Sequence, residues 1–437
     1  MSRTVHKQLL SMADTLIRAN KALKINLPKA QKKKEGIIQL LSDCQDGAIS
    51  IGENMEKIYG EGTRTVAELE SYCENLYQMT LLLEKPLQAK ELLQTLTRQL
   101  LQIRRLVEEE VPDRLEAVFL PYKASMWDSL ESIWRAAEED GDCDAYVIPI
   151  PYYDRNPDGS FREEHYEGDL FPEDVTVTPY DEYDFGLRMP DVVFIHNPYD
   201  GGNFVTSVHP YFYSKNLKNF TEKLVYVPYF IQNGEGIDEN YSTPPAVLYA
   251  DYIIAQTEKE RADYIRHCSG RYPGVDFEKK VLALGSPKID KARSVNRENV
   301  KAPKEWLERI DGKKVILYNT SLNGLLKAGE AYLEKMQDVF ALFQGREDAV
   351  ILWRPHPLME STLLSMRPEL YTKYMELKER FRKENIGIYD DTSDMYPAIG
   401  LSDAYYGDMS SLVWLYRETG KPVMVQDVEV RVKGDER

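Results

Sequence analysis

Residues 351–358, ILWRPHPL, form an apolar segment that ends in a cation and an imidazole, each followed by a proline. Proline fixes its own φ and disfavours helical geometry in the residue before it, so Arg354 and His356 are predicted to be extended at the end of a strand. Side chains two residues apart on a strand lie on the same face. A guanidinium offers a planar fork of donors to phosphate oxygens, and an imidazole exchanges a proton near neutral pH. The pair therefore predicts an anion-binding site.

Two other segments place small polar side chains directly after predicted strands. The six residues are Asn319, Thr320 and Ser321 in ILYNTSLNG, and Asp408, Ser410 and Ser411 in YYGDMSS. Ligands bind at the carboxyl ends of strands in open parallel sheets, and the start of a helix offers free N–H groups to an anion. Together with Arg354 and His356, these residues predict a cradle for a diphosphate. Each segment alone is explained equally well by helix capping or turn formation.

The apolar pattern predicts an α/β protein with two facing Rossmann-like domains, preceded by an all-helical region. Residues 1–112 repeat leucines at helical spacing, which predicts a helical bundle or coiled coil with an interruption at Pro28. The glycines at 47, 52, 60 and 62 are predicted to break its helices. From residue 113 short apolar segments alternate with helical ones, which favours parallel sheets. We predict one Rossmann-like domain at 113–295 and a second at 296–437, with strand ends pointing into the cleft between them.

The composition argues against a nucleic-acid partner and against a membrane span. The 437 residues carry a formal net charge of -17, and the only strongly basic run is KKK at 32–34, so no nucleic-acid partner is expected. No apolar run of about 18 residues is present, so no membrane span is predicted. No signal peptide is recognised. The four cysteines lie far apart and fit neither zinc nor disulfide spacing, which favours a cytoplasmic location.

Four segments resemble motifs of the CDP-glycerol glycerophosphotransferases of teichoic acid synthesis, a family with a GT-B-like fold of two facing Rossmann-like domains. They are LGSPKID (284–290), ILYNTS (316–321), RPHP (354–357) and SDAYYGDMSSLVWLYRETGKPVMV (402–425). Lys288 stands where the family motif has an arginine. The Trp and Arg of the family's Pro-Thr-Trp-Arg segment are absent here. The resemblance assigns 113–295 to the acceptor side and 296–437 to nucleotide donor binding.

The resemblance implies a transferase that moves glycerol phosphate, or a related polyol phosphate, from a CDP-activated donor to a hydroxyl acceptor in cell-wall or surface glycopolymer synthesis. Arg354 and His356 would neutralise the donor diphosphate, and Asp408, Ser410 and Ser411 would hold its phosphate and polyol. No cofactor and no metal is expected. The expected partners are the nucleotide-activated donor and a polyol-phosphate, glycan or lipid-linked acceptor. Peripheral association with the cytoplasmic face of the membrane and homo-oligomerisation through the helical region are further expectations.

The acceptor side departs from the family pattern. The family places a His-Gly-Thr motif after a strand of its first domain, whereas the comparable segment KLVYVPYFIQNGEG contains no histidine. A hydroxyl acceptor needs a base, and His196, Asp200 and His209 are the substitutes, with His356 as a fourth catalytic candidate. Two other functions stay open. One is a GT-B glycosyltransferase that uses a nucleotide sugar, and the other is a non-catalytic adaptor that retains the fold.

Overall fold

A computed structural model describes residues 3–111, 113–232 and 235–426 of the chain. The chain forms two compact units. Unit 1 comprises Met1–Tyr122, Trp134–Tyr226 and Leu248–Tyr252, and unit 2 comprises Lys123–Ile133, Val227–Val247 and Ile253–Arg437. The predicted domain limits near residues 112 and 295 stay predictions.

The N-terminal part of unit 1 is a four-helix bundle. Its helices are α1 (Arg3–Asn26), α2 (Ala30–Tyr59), α3 (Arg64–Leu82) and α4 (Pro86–Glu110). Helix α1 packs against α2 and α4, and α3 packs against the same two helices. Leu9, Leu16 and Leu23 repeat every seven residues on α1 and are buried, so the helix presents a continuous apolar stripe to its neighbours. The prediction of an all-helical N-terminal region is confirmed.

Proline and glycine act differently along this bundle. Pro28 lies in a short 3-10 turn between α1 and α2, so the predicted interruption is confirmed. Gly47 and Gly52 lie inside α2, so the prediction that they break a helix is wrong. A Cβ atom at Gly47 would stand 3.0 Å from Cδ2 of Leu16, so this glycine permits a close approach of α1 and α2. The helix ends instead at Gly60, whose φ is 76°.

Strands and helices alternate from residue 113 onward, and the predicted α/β class is confirmed. As far as residue 294 they are β1 (Leu115–Leu120), α5 (Glu131–Glu139), β2 (Cys143–Val147), β3 (Tyr152–Arg155), β4 (Phe161–His165), α6 (Phe185–Arg188), β5 (Val192–Ile195), β6 (Thr206–Val208), α7 (Ser214–Leu217), β7 (Lys223–Tyr226), α8 (Glu239–Ser242), α9 (Pro245–Tyr249), β8 (Tyr252–Ala255), α10 (Glu258–Arg271), α11 (Phe277–Lys280), β9 (Val281–Ala283) and α12 (Pro287–Ser294). Beyond it they are α13 (Lys304–Ile310), β10 (Lys314–Thr320), α14 (Leu322–Ala328), α15 (Glu330–Phe343), β11 (Ala349–Pro355), α16 (Met359–Met366), α17 (Pro368–Lys383), β12 (Ile388–Tyr389), α18 (Tyr396–Leu401), β13 (Ala404–Gly407), α19 (Ser411–Arg417) and β14 (Val423–Val425).

Parallel strand pairs dominate both units. In unit 1 the strands β2, β1, β5 and β7 are parallel neighbours in that order. A small antiparallel sheet of β4, β3 and β6 accompanies them. In unit 2 β8 pairs in parallel with β9. Strand β1 is buried along nearly its whole length, as is typical of a parallel strand that is covered on both faces.

The five-stranded sheet of unit 2 is parallel throughout and has the order β12-β11-β10-β13-β14. The chain builds outward from β10 to β11 and β12, and then crosses to the other side of β10 to add β13 and β14. This reversal makes a topological switch point between β10 and β13. Open α/β sheets bind ligands in the crevice at such a point, outside the carboxyl ends of the strands. The residues at the carboxyl ends of β10 and β13 are therefore candidates for ligand binding.

Candidate active site

The ends of β10, β11 and β13 meet at one edge of the sheet in unit 2. The register pairs Asn319 with both Arg354 and Gly407. Beyond the strands, the backbone N of His356 donates to the carbonyl of Thr320 at 2.9 Å, and the backbone N of Asp408 donates to the carbonyl of Asn319 at 3.0 Å. The structure thus brings the polar segments after the three strands to the same edge, next to the switch point.

A hydrogen-bonded bridge joins β10 to the start of α19. The Nδ2 atom of Asn319 donates to Oγ of Ser410 and to the hydroxyl of Tyr405, each at 3.1 Å. The Ser410 side chain makes no capping bond to α19; its hydroxyl accepts from Asn319 and is also hydrogen-bonded to the hydroxyl of Tyr405. Ser411, the first residue of the helix, is exposed. A ligand can therefore meet the Ser411 hydroxyl directly, and the Ser410 hydroxyl in exchange for its bond to Tyr405.

Asp408 is a buried carboxylate that fixes the backbone before α14. Its Oδ2 atom accepts from the backbone N of Ser321 at 2.7 Å and from the hydroxyl of Tyr332. Burial and the neighbouring Asp408 raise the pKa of Tyr332 well above its usual range, so this hydroxyl stays protonated and donates. Because a carboxylate repels a phosphate, the implied contact of Asp408 with the donor fits the polyol hydroxyls and not the phosphate.

Thr320 and Ser321 support the same edge from within the protein. Thr320 is fully buried, and its Oγ1 accepts from Nε1 of Trp353 at 3.1 Å. Ser321 caps α14, since its Oγ accepts from the backbone N of Gly324 at 3.2 Å. The Thr320 hydroxyl therefore serves packing in this structure, and the donor-binding role predicted for it has no contact that supports it. Capping accounts for Ser321, as its sequence context also allowed.

Arg354 is buried and its guanidinium is used inside the protein. Nη1 donates to Oδ2 of Asp390 at 2.5 Å and to the carbonyl of Asp394 at 3.1 Å. Nη2 donates to the carbonyl of Thr392 at 2.9 Å. The side chain thus orders residues 390–394 and does not present a free fork to phosphate. Direct binding of the donor diphosphate by Arg354 stays a prediction, and this geometry gives it no support.

His356 is positioned as a neutral hydrogen-bond donor. Its Nδ1 accepts from the backbone N of Leu358 at 3.1 Å, so the neutral ring carries its proton on Nε2. Burial lowers the pKa of His356 below its usual range. At neutral pH the imidazole is therefore uncharged, which changes the expected role of His356 from neutralising a diphosphate to donating a hydrogen bond to it.

Residues 250–434 match the sequence model of the CDP-Glycerol:Poly(glycerophosphate) glycerophosphotransferase family. The matched region contains the whole five-stranded sheet and every polar residue described at its edge. Over these residues the chain resembles that family. The resemblance predicted from the four motifs is confirmed. No curated protein matches the chain.

Several solved structures are similar at low identity. An S. aureus MnaA–UDP structure is 14% identical and covers 71% of this chain and 78% of its own, with a TM-score of 0.41. The Methanocaldococcus jannaschii UDP-GlcNAc 2-epimerase with UDP-GlcNAc and UDP is 12% identical and covers 71% and 83%, with a TM-score of 0.39. A variant of the wall teichoic acid polymerase TagF, soaked with CDPG, is 15% identical and covers 83% and 79%, with a TM-score of 0.40.

The three candidate bases His196, Asp200 and His209 lie in unit 1, outside the glycerophosphotransferase match. His196 is fully buried, and its Nε2 accepts from the backbone N of Tyr122 at 3.1 Å. Nδ1 of His209 accepts from the backbone N of Tyr211 at 3.2 Å and caps a short turn. These contacts are structural, so the catalytic role of the two histidines stays a prediction without a supporting contact.

Asp200 is likewise used inside unit 1. Its carboxylate accepts from the backbone N of Ser214 at 2.8 Å and from Oγ of Ser214 at 2.6 Å. Burial raises the pKa of Asp200. The residue has a φ of 48°, a left-handed conformation that Asp adopts more readily than most residues. Asp200 therefore shapes the turn before α7, and its predicted role as a base has no contact that supports it.

Sequence reasoning missed three residues of the glycerophosphotransferase region that the structure places near the strand ends. Asp390 follows β12 and holds Arg354, while Tyr332 and Lys335 on α15 face Asp408. Asp390 could have been found because it follows an apolar strand, as the other site residues do. Lys335 carries a different signal, a charge on the apolar face of a helix that Tyr332 shares.

Unit 1 holds the one group in the described part of the chain whose atoms could bind a metal ion. Asp154, Glu163 and His165 on the β3–β4 hairpin bring their ligand atoms within 4.8 Å of one another. Arg162 already donates to Asp154 at 2.7 Å. The expectation that no metal is needed stays a prediction.

Among the described residues, no helix has the length and apolar character to cross a membrane.

Proposed function

We propose that the chain transfers glycerol phosphate, or a related polyol phosphate, from a CDP-activated donor to a hydroxyl acceptor in cell-wall or surface glycopolymer synthesis. The observation that carries this proposal is the family match over 250–434, which contains the switch point and its polar strand ends. Phosphoryl transfer depends mainly on positioning and on hydrogen-bond donors around the transferred group. Nε2 of His356 and the hydroxyls of Ser410 and Ser411 are the groups that supply such donors.

The proposed reaction balances as a single displacement. The acceptor hydroxyl oxygen forms a bond to the phosphorus that carries the polyol, and the bond between that phosphorus and the oxygen of CMP breaks. CMP leaves with that oxygen, and the proton of the acceptor hydroxyl passes to a base. The switch-point residues act on the donor half of this reaction, and the acceptor base stays open.

The direct test is CMP release from CDP-glycerol with a poly(glycerol phosphate) acceptor. Ser410→Ala and His356→Gln each remove one proposed donor, and loss of such a donor typically lowers kcat by about 10²–10³-fold. Ser365→Ala, an exposed serine on α16, is the matched control. Equal CMP release by Ser410→Ala, His356→Gln and the wild type would contradict the proposed donor site.

Calorimetric titration, together with the CMP-release assay, separates the two other functions. A GT-B glycosyltransferase would bind UDP-sugars and not CDP-glycerol in calorimetric titrations. A non-catalytic adaptor would bind CDP-glycerol without releasing CMP in the presence of any acceptor tried. The proposal requires both binding and release.

Peripheral membrane association is a further part of the proposal. It is assigned to the end of the bundle where α1 and α3 end and where α2 and α4 begin. Among the residues whose side chains the structure describes, six lysines lie there, Lys24, Lys29, Lys33, Lys34, Lys85 and Lys90. Ile25, Leu81 and Leu87 at this end are 68%, 57% and 82% exposed. Lysine clusters beside exposed apolar side chains favour binding to anionic lipid surfaces.

Homo-oligomerisation through the bundle is also retained as a proposal, to be tested by light scattering of the purified protein.

A further inference from the structure

The switch point holds a cation that none of the sequence motifs contains. Lys335 lies on α15, and its Nζ atom is 3.9 Å from Oδ1 of Asp408. Its side chain keeps only 19% of its surface exposed, and its ammonium lies 5.7 Å from the ring centre of Tyr332. Within the part of the chain that the structure describes, Asp408 is its one charged partner, at a distance beyond hydrogen bonding. The partly exposed ammonium has three donors, and no described protein group accepts from them within hydrogen-bond distance.

The other charged groups at this edge are already paired. Arg354 is neutralised by Asp390, and Oδ2 of Asp408 accepts from Ser321 and Tyr332. Burial lowers the pKa of Lys335, and the nearby Asp408 opposes this shift. An anion that reached the exposed part of the ammonium would accept from it with an opposite charge. Among the described residues at this edge, Lys335 is thus the cation with donors still available.

We propose that Lys335 is the phosphate-binding residue of the switch-point crevice, in the place that the sequence motifs assign to Arg354. The ligand class is a phosphate or diphosphate, whose oxygen accepts from the ammonium while Asp408 keeps the side chain oriented. The inference rests on the proposed function only for the identity of the whole donor. Binding of a diphosphate is tested separately from turnover.

The test titrates the full chain with inorganic pyrophosphate and with CDP-glycerol by calorimetry. Lys335→Met removes the charge, Lys335→Arg keeps it, and Lys327→Met removes an exposed lysine from the nearby helix α14. We expect Lys335→Met to weaken both ligands about tenfold or more, because a charge-assisted hydrogen bond is lost. Lys335→Arg should retain most of the affinity, and Lys327→Met should bind as the wild type does.

A second variant distinguishes a loss of folding from a loss of ligand binding. If Lys335→Met does not fold, the double variant Lys335→Met/Asp408→Asn removes both charges, and loss of a whole buried pair is better tolerated than loss of one partner. The double variant should fold and still not bind pyrophosphate. Pyrophosphate affinity equal to that of the wild type in either variant, or no pyrophosphate binding by the wild type, overturns the inference. Pyrophosphate binding that depends on Lys335 without CMP release would instead refute the proposed transferase and leave this site intact.

Discussion

Nη1 of Arg354 lies 2.5 Å from Oδ2 of Asp390, and both side chains are buried. Asp390 also accepts from the backbone N and Oγ1 of Thr392, at 3.0 and 2.7 Å. The ion pair therefore ties the end of β11 to the loop that precedes α18. In this geometry Arg354 stabilises the fold, and any contact with a substrate would be additional to that role.

Arg354→Ala should destabilise the protein strongly. Removing one partner of a buried pair leaves the other charge without compensation and typically costs about 3–5 kcal/mol. Arg346→Ala breaks an exposed pair with Asp348, which solvent screens and which contributes little to stability, and it is the control. Chemical denaturation of both variants measures the difference. If Arg354→Ala loses donor binding at unchanged stability, the structural assignment is wrong.

The pKa of His356 gives the stability a predictable pH dependence. Burial lowers this pKa in the folded state, while the unfolded chain titrates near 6.5. Between the folded pKa and about 6.5 the unfolded state binds more protons. The free energy of unfolding therefore rises as the pH rises across this window, and this stabilisation is lost as the pH falls. Urea unfolding should show this slope in the wild type and less of it in His356→Gln. His209→Gln, which leaves His356 in place, should keep it, and NMR titration of the His356 ring gives the pKa directly.

Gly407 should not tolerate a side chain. A Cβ atom there would stand 2.3 Å from the carbonyl oxygen and 2.8 Å from the backbone N of Asn319. Gly407→Ala must therefore push β13 away from β10, at a cost of about 1–3 kcal/mol for overpacking, and weaken the bond from Asn319 to Ser410. Gly270→Ala, at an open position in α10, should be neutral or stabilising. Thermal unfolding of the two variants, together with CMP release, checks the contrast.

The lysine-rich end of the bundle should bind anionic vesicles. The triple variant Lys24→Glu/Lys29→Glu/Lys90→Glu removes three exposed lysines, each worth about 1 kcal/mol near an anionic surface. We expect the wild type to sediment with vesicles that contain phosphatidylglycerol, at low salt, and not with phosphatidylcholine alone.

The matched control for vesicle binding reverses three exposed lysines elsewhere, at 301, 327 and 383. Equal sedimentation of both triple variants would assign the effect to net charge and not to this end of the bundle. No sedimentation of the wild type with either vesicle would refute membrane association through it.

The edge that carries the candidate site was predictable because the apolar runs of its strands give way to polar residues. The apolar runs of β10 and β11 stop at Asn319 and at Arg354-Pro355. Strand β11 ends at Pro355 as predicted, whereas β10 continues to Thr320, so the prediction that Asn319 and Thr320 follow the strand is wrong. The position between β10 and β13 was not predictable in the same way. It follows from the strand order, and the sequence does not state that β13 pairs with β10 rather than with β12.

The partners of the site residues were harder to predict than the residues themselves. Asp390 is 36 positions from Arg354, and no local pattern joins two side chains at that separation. The charge of Arg354 suggested phosphate, but burial beside a carboxylate satisfied it within the protein. Lys335 was overlooked for the converse reason. It stands on a helix, away from any motif, and only the fold brings it to Asp408.

The segment Lys123–Ile133 belongs to unit 2 although it directly follows β1 of unit 1. Within it Asp128 accepts from the buried ammonium of Lys288 at 2.9 Å and from the hydroxyl of Tyr396 at 2.7 Å. A recombinant fragment cut at the family match, 250–434, would omit Asp128 and leave Lys288 and Tyr396 without this partner. Truncation studies therefore need a start upstream of β1, and insolubility of the shorter piece would say nothing about its chemistry.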